Sequence, residues 1–229
     1  MIYLQTGGMV REFNLLSHFC YENKIEVELE TLKAIQQNRV VLKQGWIASG
    51  TVEFVHAFLK ALGKQIPNPD TYPEVLREFL KREIRKTTIE KLPEDYTGFI
   101  KPVELKKFTG FVMRDGDTYN IKHCSKKTEV YLSEEVKFVS EWRYYVLNGQ
   151  IVACGHYGGD ESVKCDLRIP IKAASRIEGT YLLDFGVLKN GETVLVEFND
   201  AYSFGWYLDD DVDILYEMVN TRMLEIIGG

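Results

Sequence analysis

The segment YLLDFGVLKNGETVLVEFND, residues 181–200, limits the possible folds more than any other stretch of the chain. Two runs of strand-forming residues flank Asn190-Gly191. Both residues of that pair tolerate positive φ, so the pair suits the type I′ turn that joins two antiparallel strands. A two-residue turn there sets Lys189 opposite Glu192 and, counting back along both strands, Asp184 opposite Glu197. Facing side chains on such a pair lie about 5 Å apart at Cβ. Asn199 is two residues beyond Glu197 and shares its face. Leu183, Phe185, Val196 and Phe198 take the other face, which is expected to be the core.

Two like charges held opposite each other repel, and a cation between them removes the conflict. Two carboxylates and an amide oxygen on a rigid hairpin, with coordination positions to spare, match what Mg2+ bound to nucleotide phosphates requires. Asp184, Glu197 and Asn199 are therefore candidate metal ligands. The competing reading is a polar sheet face with both acids splayed into water, since exposed acids are common.

Basic residues accompany this acidic set. GFIKP, residues 98–102, places Lys101 inside an apolar strand, and a lysine is rarely buried without an anionic partner. ELKKFTGFV follows, with Lys106, Lys107, Thr109 and Gly110. A basic loop with a small residue and a glycine can hold phosphates by side-chain charge and backbone N–H groups. Read alone, Lys106 and Lys107 suit a solvated turn equally well. No G-x-x-x-x-G-K-[ST] motif occurs, so this is not a Walker loop. In EWRYYVLNGQIVACGHY, residues 141–157, a turn at Asn148-Gly149 sets Arg143 opposite Cys154 and Glu141 opposite His156. Glu141 and Arg143 share a face, either as a strand ion pair or with the arginine aimed at a phosphate or carboxylate.

The chain changes character near residue 95. Before it, IYLQ, IEVELETL and VVLKQGWI read as strands, and they alternate with helical patterns. Val10, Phe13, Leu16, Phe19 and Cys20 form one helical stripe over residues 10–23. A second helix spans Thr51 to Leu62 and stops at Gly63. Thr71-Tyr72-Pro73-Glu74 reads as a capping box opening a third helix that runs to about Thr87. After residue 95 come strands and tight turns, including Asp115-Gly116, then a helix from Asp211 to Ile227. The expected division is an α/β subdomain with a helical linker over residues 1–92 and an α+β region over 93–229.

Net charge is −6, from 28 basic and 34 acidic side chains, which disfavours nucleic acid as a partner. No apolar run approaches the roughly 20 residues of a membrane helix, and no signal peptide opens the chain, so a cytoplasmic protein is expected. The four cysteines lack C-x-x-C spacing and read as free thiols. Asp209, Asp210 and Asp211 suit the N-terminus of the last helix better than a ligand set. Tyr202, Trp206 and Tyr207 either line an acceptor pocket or cap the core.

The order FIKP…KKFTGF, VYLSEEV, EWRYYVLNGQIVA and YLLDFGVLKNGETVLVEFND resembles the ATP-grasp superfamily. More narrowly, it is similar to the bacterial and phage branch named for one arginine and two lysines. The resemblance covers residues ~72 to 207 well and the first 65 weakly. It implies an ATP-grasp fold, with the nucleotide held between two antiparallel β-sheets and a small N-terminal α/β subdomain. On this resemblance Lys101 contacts the α- and β-phosphates, and Thr109-Gly110 with Lys106 or Lys107 covers them. Ser133, Glu134, Glu135 and Val136 form the hinge that holds adenine and ribose. Asp184, Glu197 and Asn199 match the Mg2+ ligands. Arg143 and Glu141 lie on the following strand, Arg143 matching the family's strand arginine. Arg82 matches the branch's upstream basic residue, with Arg85 close by.

The activity so implied is an ATP-dependent carboxylate–amine ligase working through an acyl phosphate, with ATP and Mg2+. Its acceptors would be an amino acid or peptide pair. A kinase of the same fold and a non-catalytic nucleotide-binding or host-interaction module are the alternatives. A nucleic-acid ligase would need a K-x-D-G lysine, and none occurs.

Overall fold

The computed structural model describes residues 1–68, 70–104 and 107–228; Lys106 lies outside the described residues. Strand β1 (Ile2–Gln5) is buried throughout, as a central strand of a parallel sheet must be. It lies between β2 (Val27–Glu30) and β3 (Ile47–Ser49), both parallel to it. The connections carry α1 (Val10–Glu22) and α2 (Leu32–Gln36), and α3 (Val52–Ala61) follows β3. Thr51 caps α3, its hydroxyl accepting from Phe54 N at 3.4 Å. Phe54, Val55, Phe58 and Leu59 are the buried residues of that helix. On α1, Leu16 and Cys20 are buried, whereas Val10, expected on the same stripe, is 66% exposed. The strand expected over residues 40–47 begins only at Ile47. Gly45, at φ 78°, turns the chain just before it.

The helix expected over residues 71–87 is a larger departure. It shrinks to a 3-10 turn (Glu74–Leu76) and the single turn α4 (Arg77–Leu80). Lys81 takes a left-handed conformation, φ 51°, and the chain enters β4 (Arg85–Thr88). Tertiary hydrogen bonds outcompete local propensity here. The Thr71 carbonyl accepts from Phe198 N, and the Arg82 guanidinium donates to three carbonyls, two of them on a distant strand.

Two antiparallel sheets make up the rest. The smaller contains β4, β5 (Gly98–Pro102), β6 (Phe111–Met113) and β7 (Glu129–Ser133), in the order β4-β7-β5-β6. It thus takes one strand from before residue 92. The turn at Asp115-Gly116 has both residues at positive φ but joins no hairpin, because a 3-10 turn (Tyr119–Ile121) follows it. The larger sheet contains β8 (Phe138–Leu147), β9 (Gln150–Gly159), β10 (Tyr181–Leu188) and β11 (Thr193–Asp200), in the order β11-β10-β8-β9. Residues 134–137 pass from β7 in one sheet to β8 in the other. Helix α5 (Arg168–Ala174) precedes β10, and α6 (Val212–Gly228) ends the chain.

Both faces of the larger sheet are used. Leu183 and Phe185 face a core built with Phe79 and Leu80 of α4 and Ala173 and Ala174 of α5, and Phe198 packs at its edge. On the other face, Tyr145 and Leu182 join the core shared by the parallel sheet and α6. The C-terminal helix therefore packs with the N-terminal sheet. The smaller sheet has its own core of Ile100, Met113, Val130 and Leu132. All four cysteines are free.

A bidentate ion pair fixes α6 to the end of β11. Arg222 donates from Nε to Asp200 Oδ1 at 2.7 Å and from Nη2 to Oδ2 at 2.6 Å. Asp200 is 9% exposed, so removing its cation leaves a buried uncompensated charge. Arg222→Ala should lower unfolding free energy by about 3 kcal/mol, and Arg222→Ala with Asp200→Asn by less. Urea unfolding checks this; a loss below about 1 kcal/mol for the single variant would mean the clamp is weak.

Candidate functional site

The hairpin delivers its carboxylates by a different route from the expected one. Of Asn190 and Gly191, only Gly191 has positive φ, at 85°. Gly191 N donates to Leu188 O and Leu188 N to Glu192 O, both at 2.8 Å, which closes a loop longer than a type I′ turn. Val187 consequently faces Thr193 rather than Val194. A bulge on β11 then inserts Val196 between the partners of Phe185 and Asp184, and the register returns. Asp184 faces Glu197 after all. The cost is that Val196 leaves the core face and lines a cleft. A bulge also leaves backbone carbonyls without ladder partners. Arg82 satisfies them, Nη1 donating to Leu195 O at 2.7 Å and Nη2 to Val196 O at 2.8 Å.

Strand β9 is bulged twice, so Arg143 faces Gly155 rather than Cys154, and Glu141 faces Gly158 rather than His156. Gly155 leaves room for Tyr207: a Cβ there would lie 2.9 Å from Tyr207 Cβ and 3.0 Å from its carbonyl oxygen. The second bulge accommodates Tyr157, whose hydroxyl donates to Glu141 Oε2 at 3.2 Å. Tyr157 and Tyr207 stack on each other at 5.3 Å, and the Arg143 guanidinium lies over both rings.

The carboxylates are not left to repel each other. Arg143, the β8 partner of Asp184, donates to it from Nε at 2.8 Å and from Nη2 at 2.7 Å. Lys101, reaching from β5 in the other sheet, donates to Glu197 Oε2. The Asn199 amide nitrogen bridges the two acids, 3.2 Å from Asp184 Oδ2 and 2.8 Å from Glu197 Oε1. Asp184 is 2% exposed. Burial pushes its carboxyl pKa up against the pull of Arg143. Burial also opposes the Glu197 charge, but Lys101 and Asn199 prevail and hold that carboxyl below its usual range. Burial works against the Arg143 charge too, and the bond to Asp184 outweighs it, so the guanidinium sits above its ordinary value. Glu141 is raised by burial.

These residues border a cleft of about 320 Å³ between the two sheets. Phe99, Val112, Val136 and Phe138 supply its apolar walls, and Tyr72, Arg82, Ser133, Glu134, Glu141 and Arg143 its polar ones. Of the pair Arg82 and Arg85, Arg82 faces this cleft; Arg85 is exposed and borders a separate groove. Glu135 turns outward to Arg114 at 2.5 Å. Lys107 pairs with Glu104 at 3.3 Å and lines another groove, of about 720 Å³, so the structure does not bring it to the cleft. Thr109 is exposed, and Gly110 backs onto the Phe99 ring. A second pocket of about 280 Å³ lies behind Arg143 and Asn199, formed by Met9, Thr51, Leu182, Ser203 and Gly205 among others. Tyr202 and Trp206 are buried in the core. Asp209 pairs with Arg11 at 2.9 Å.

Sequence reasoning missed Tyr72, which a helical reading hid, and Tyr157, which strict strand register turned away. Phe99 was within reach, because it sits two residues before Lys101 on the same strand.

Among the described residues no three His, Cys, Asp or Glu side chains form a metal-holding group. The set here is two carboxylates and one amide. Its donor chemistry fits Mg2+, which accepts a few protein oxygens and completes its shell with phosphates and water. A half-turn of the Asn199 amide would present its oxygen in place of its NH2.

A family model for an ATP-grasp domain, family 2 of the clade named for one arginine and two lysines, matches residues 79–216. The chain belongs to the ATP-grasp superfamily. Solved structures agree on the ATP-grasp fold. The D-alanine–D-alanine ligase of Bacillus anthracis complexed with ATP is 15% identical at a TM-score of 0.60, covering 99% of this chain and 96% of its own. The D-cycloserine synthetase DcsG is 10% identical at a TM-score of 0.60, with 97% and 99% covered. The ATP-grasp ligase PsnB, complexed with a phosphomimetic variant of its minimal precursor, Mg and ADP, is 12% identical at 0.52, with 96% and 97% covered. No curated protein sequence matches this one. No helix among the described residues is long and apolar enough to cross a membrane.

The ion pairs of this ATP-grasp site reverse the expectation of carboxylate repulsion. Without ligands, Glu197→Gln and Lys101→Met should each destabilise the fold, Lys101→Met by about 3 kcal/mol, because Glu197 loses its cation. A double-mutant cycle should give a coupling of about 1–3 kcal/mol. The Glu197 carboxyl is held low when folded. Its contribution is therefore full above the unfolded value of about 4.3 and is lost as pH falls through the folded value. Lys101→Met should lose less stability than wild type as pH falls below about 4.3, which urea unfolding at a series of pH values would show.

Proposed function

We propose that the chain is an ATP-dependent carboxylate–amine ligase. The observation that carries this reading is the position of Arg143. It borders both the inter-sheet cleft and the pocket behind it, so one guanidinium stands where two binding spaces meet. A reaction between a nucleotide and a separate carboxylate needs two spaces that meet where the reacting atoms do, with positive charge at that meeting point.

In this reading adenine lies among Phe99, Val112, Val136 and Phe138, next to the backbone of Ser133 to Val136. Arg82 and Lys101 face the phosphates. The acceptor carboxylate enters beside Met9, Thr51 and Ser203 and meets Arg143. Its oxygen attacks the γ-phosphorus and ADP leaves; an amine nitrogen then attacks the acyl carbon, loses a proton, and phosphate leaves. Asp184, Glu197 and Asn199 would hold Mg2+, which would supply charge neutralisation for the transferring phosphoryl group. Arg143 stabilises negative charge at the junction because its plane is fixed by Asp184 on one edge and packs against the stacked rings of Tyr157 and Tyr207. The ligases among the solved structures support the reaction type, and the apolar and basic lining of the cleft supports the nucleotide.

The test uses acceptors whose carboxylates carry ¹⁸O, drawn from amino acids and short peptides, incubated with ATP, Mg2+ and amines. One labelled oxygen should appear in the released phosphate, and the product should gain the mass of the amine minus water. A stable phosphorylated product without phosphate release would instead identify a kinase. Arg143→Lys should reduce turnover by about 10²-fold or more, since a point charge cannot replace a bidentate plane.

A further inference from the structure

Each of the four carboxylate oxygens of Asp184 and Glu197 already accepts a hydrogen bond from a nitrogen of Arg143, Lys101 or Asn199. Within this cluster two carboxylates are matched by two cations, so the metal-ligating oxygens offer a divalent cation arriving alone no unpaired charge. It must also displace a donor. Arg143 is the harder to displace: it is held bidentately, it lies beside Asp184 in the ladder, and its guanidinium packs against two stacked tyrosines. Lys101 is the easier. It makes one hydrogen bond to the acids through a flexible stem, besides lying 5.8 Å from the Tyr72 ring centre, and it comes from the opposite sheet.

We propose that Lys101 acts as an internal counter-cation that closes the metal site until a nucleotide phosphate draws its ammonium away from Glu197. This rests on the ligase reading only in assuming a metal-nucleotide site, and it assigns that site an order: the nucleotide must accompany the metal. The exchange forms no covalent bond. The ammonium trades one anion for another, and the freed Glu197 oxygen becomes available to the metal that the nucleotide brings. The Lys101–Glu197 contact also bridges the two sheets, so the same exchange replaces a direct tie across the cleft by one that runs through the ligand.

The distinguishing consequence is that losing Lys101 should help one ligand and hurt the other. Mn2+ serves as the probe, its binding followed by the loss of the free-ion electron paramagnetic resonance signal, with and without ADP. Wild-type protein should bind Mn2+ alone at least 100-fold more weakly than in the presence of saturating ADP, after correction for Mn2+ held by free ADP. Lys101→Met should bind Mn2+ alone about tenfold more tightly than wild type, the scale of one charge-assisted contact, while its ADP affinity falls. Glu197→Gln, which removes the anion and leaves the lysine, should bind Mn2+ poorly in both conditions. Equal wild-type affinity for Mn2+ with and without ADP would overturn the proposal and leave the nucleotide reading standing. So would unchanged Mn2+ affinity in a folded Lys101→Met. Failure of wild type to bind Mn2+ and ADP together would overturn the nucleotide reading and this one with it. The wild-type comparison needs no variant, so it can overturn the proposal even if Lys101→Met fails to fold, and Lys101→Arg, which keeps the charge, then replaces Lys101→Met and should leave Mn2+ binding alone as weak as in wild type.

Discussion

Asp184 is 2% exposed and takes two hydrogen bonds from the Arg143 guanidinium. A carboxylate that deep loses several kcal/mol of hydration unless a cation and hydrogen-bond donors replace the water. Arg143 provides that replacement, and much of the site follows from the need for it. The ladder between β8 and β10 puts the two residues side by side, so the arginine and the carboxylate that holds its guanidinium are both anchored on neighbouring strands. Tyr157 and Tyr207 pack against its guanidinium, an arrangement that needs the bulged path of β9 and the absence of a side chain at Gly155. Fixing the arginine fixes the junction between the inter-sheet cleft and the pocket behind it.

The second pair, Lys101 with Glu197, is less exposed to water than a surface ion pair and joins two sheets that otherwise meet at the connection of residues 134–137. The two pairs share Asn199, whose amide touches both acids. The four charges and the amide thus behave as one network, in which changing a member alters the environment of all the others. The bulge at Val196 belongs to the same arrangement of backbone groups. It restores the register that brings Glu197 opposite Asp184, and the carbonyls it frees are those that hold Arg82 at the edge of the cleft.

Legibility of the fold varied with the range of the forces involved. The α/β alternation of the first subdomain, with α1 and α3, could be read because apolar spacing and a Thr51 cap act within a few residues. The third helix was misread because a T-x-x-E pattern states only a local preference. Thr71 and Arg82 found backbone partners on β11, more than a hundred positions away, and those bonds stopped the helix after one turn. The Asp184–Glu197 pairing was read correctly from an incorrect turn, because the longer loop and the bulge each shift the register by one residue in opposite senses. No such cancellation occurs on β9, where both irregularities shift the register the same way and Arg143 meets Gly155.

By itself the sequence determined which chemical groups this protein places together: a lysine in an apolar strand, an arginine on the long hairpin, and two acids with an amide on the next. Residue type and alternation carry that information, because strand geometry sends every second side chain to the same face. Only the tertiary structure decided how those groups balance one another. The tie of Lys101 to Glu197 crosses between two sheets, and the stacking of Tyr157 and Tyr207 around Arg143 depends on bulges with no local signature. Charge compensation in a buried site is a property of distances in space, and distances between segments far apart in the chain are set by the packing of whole sheets rather than by the residues that lie next to one another.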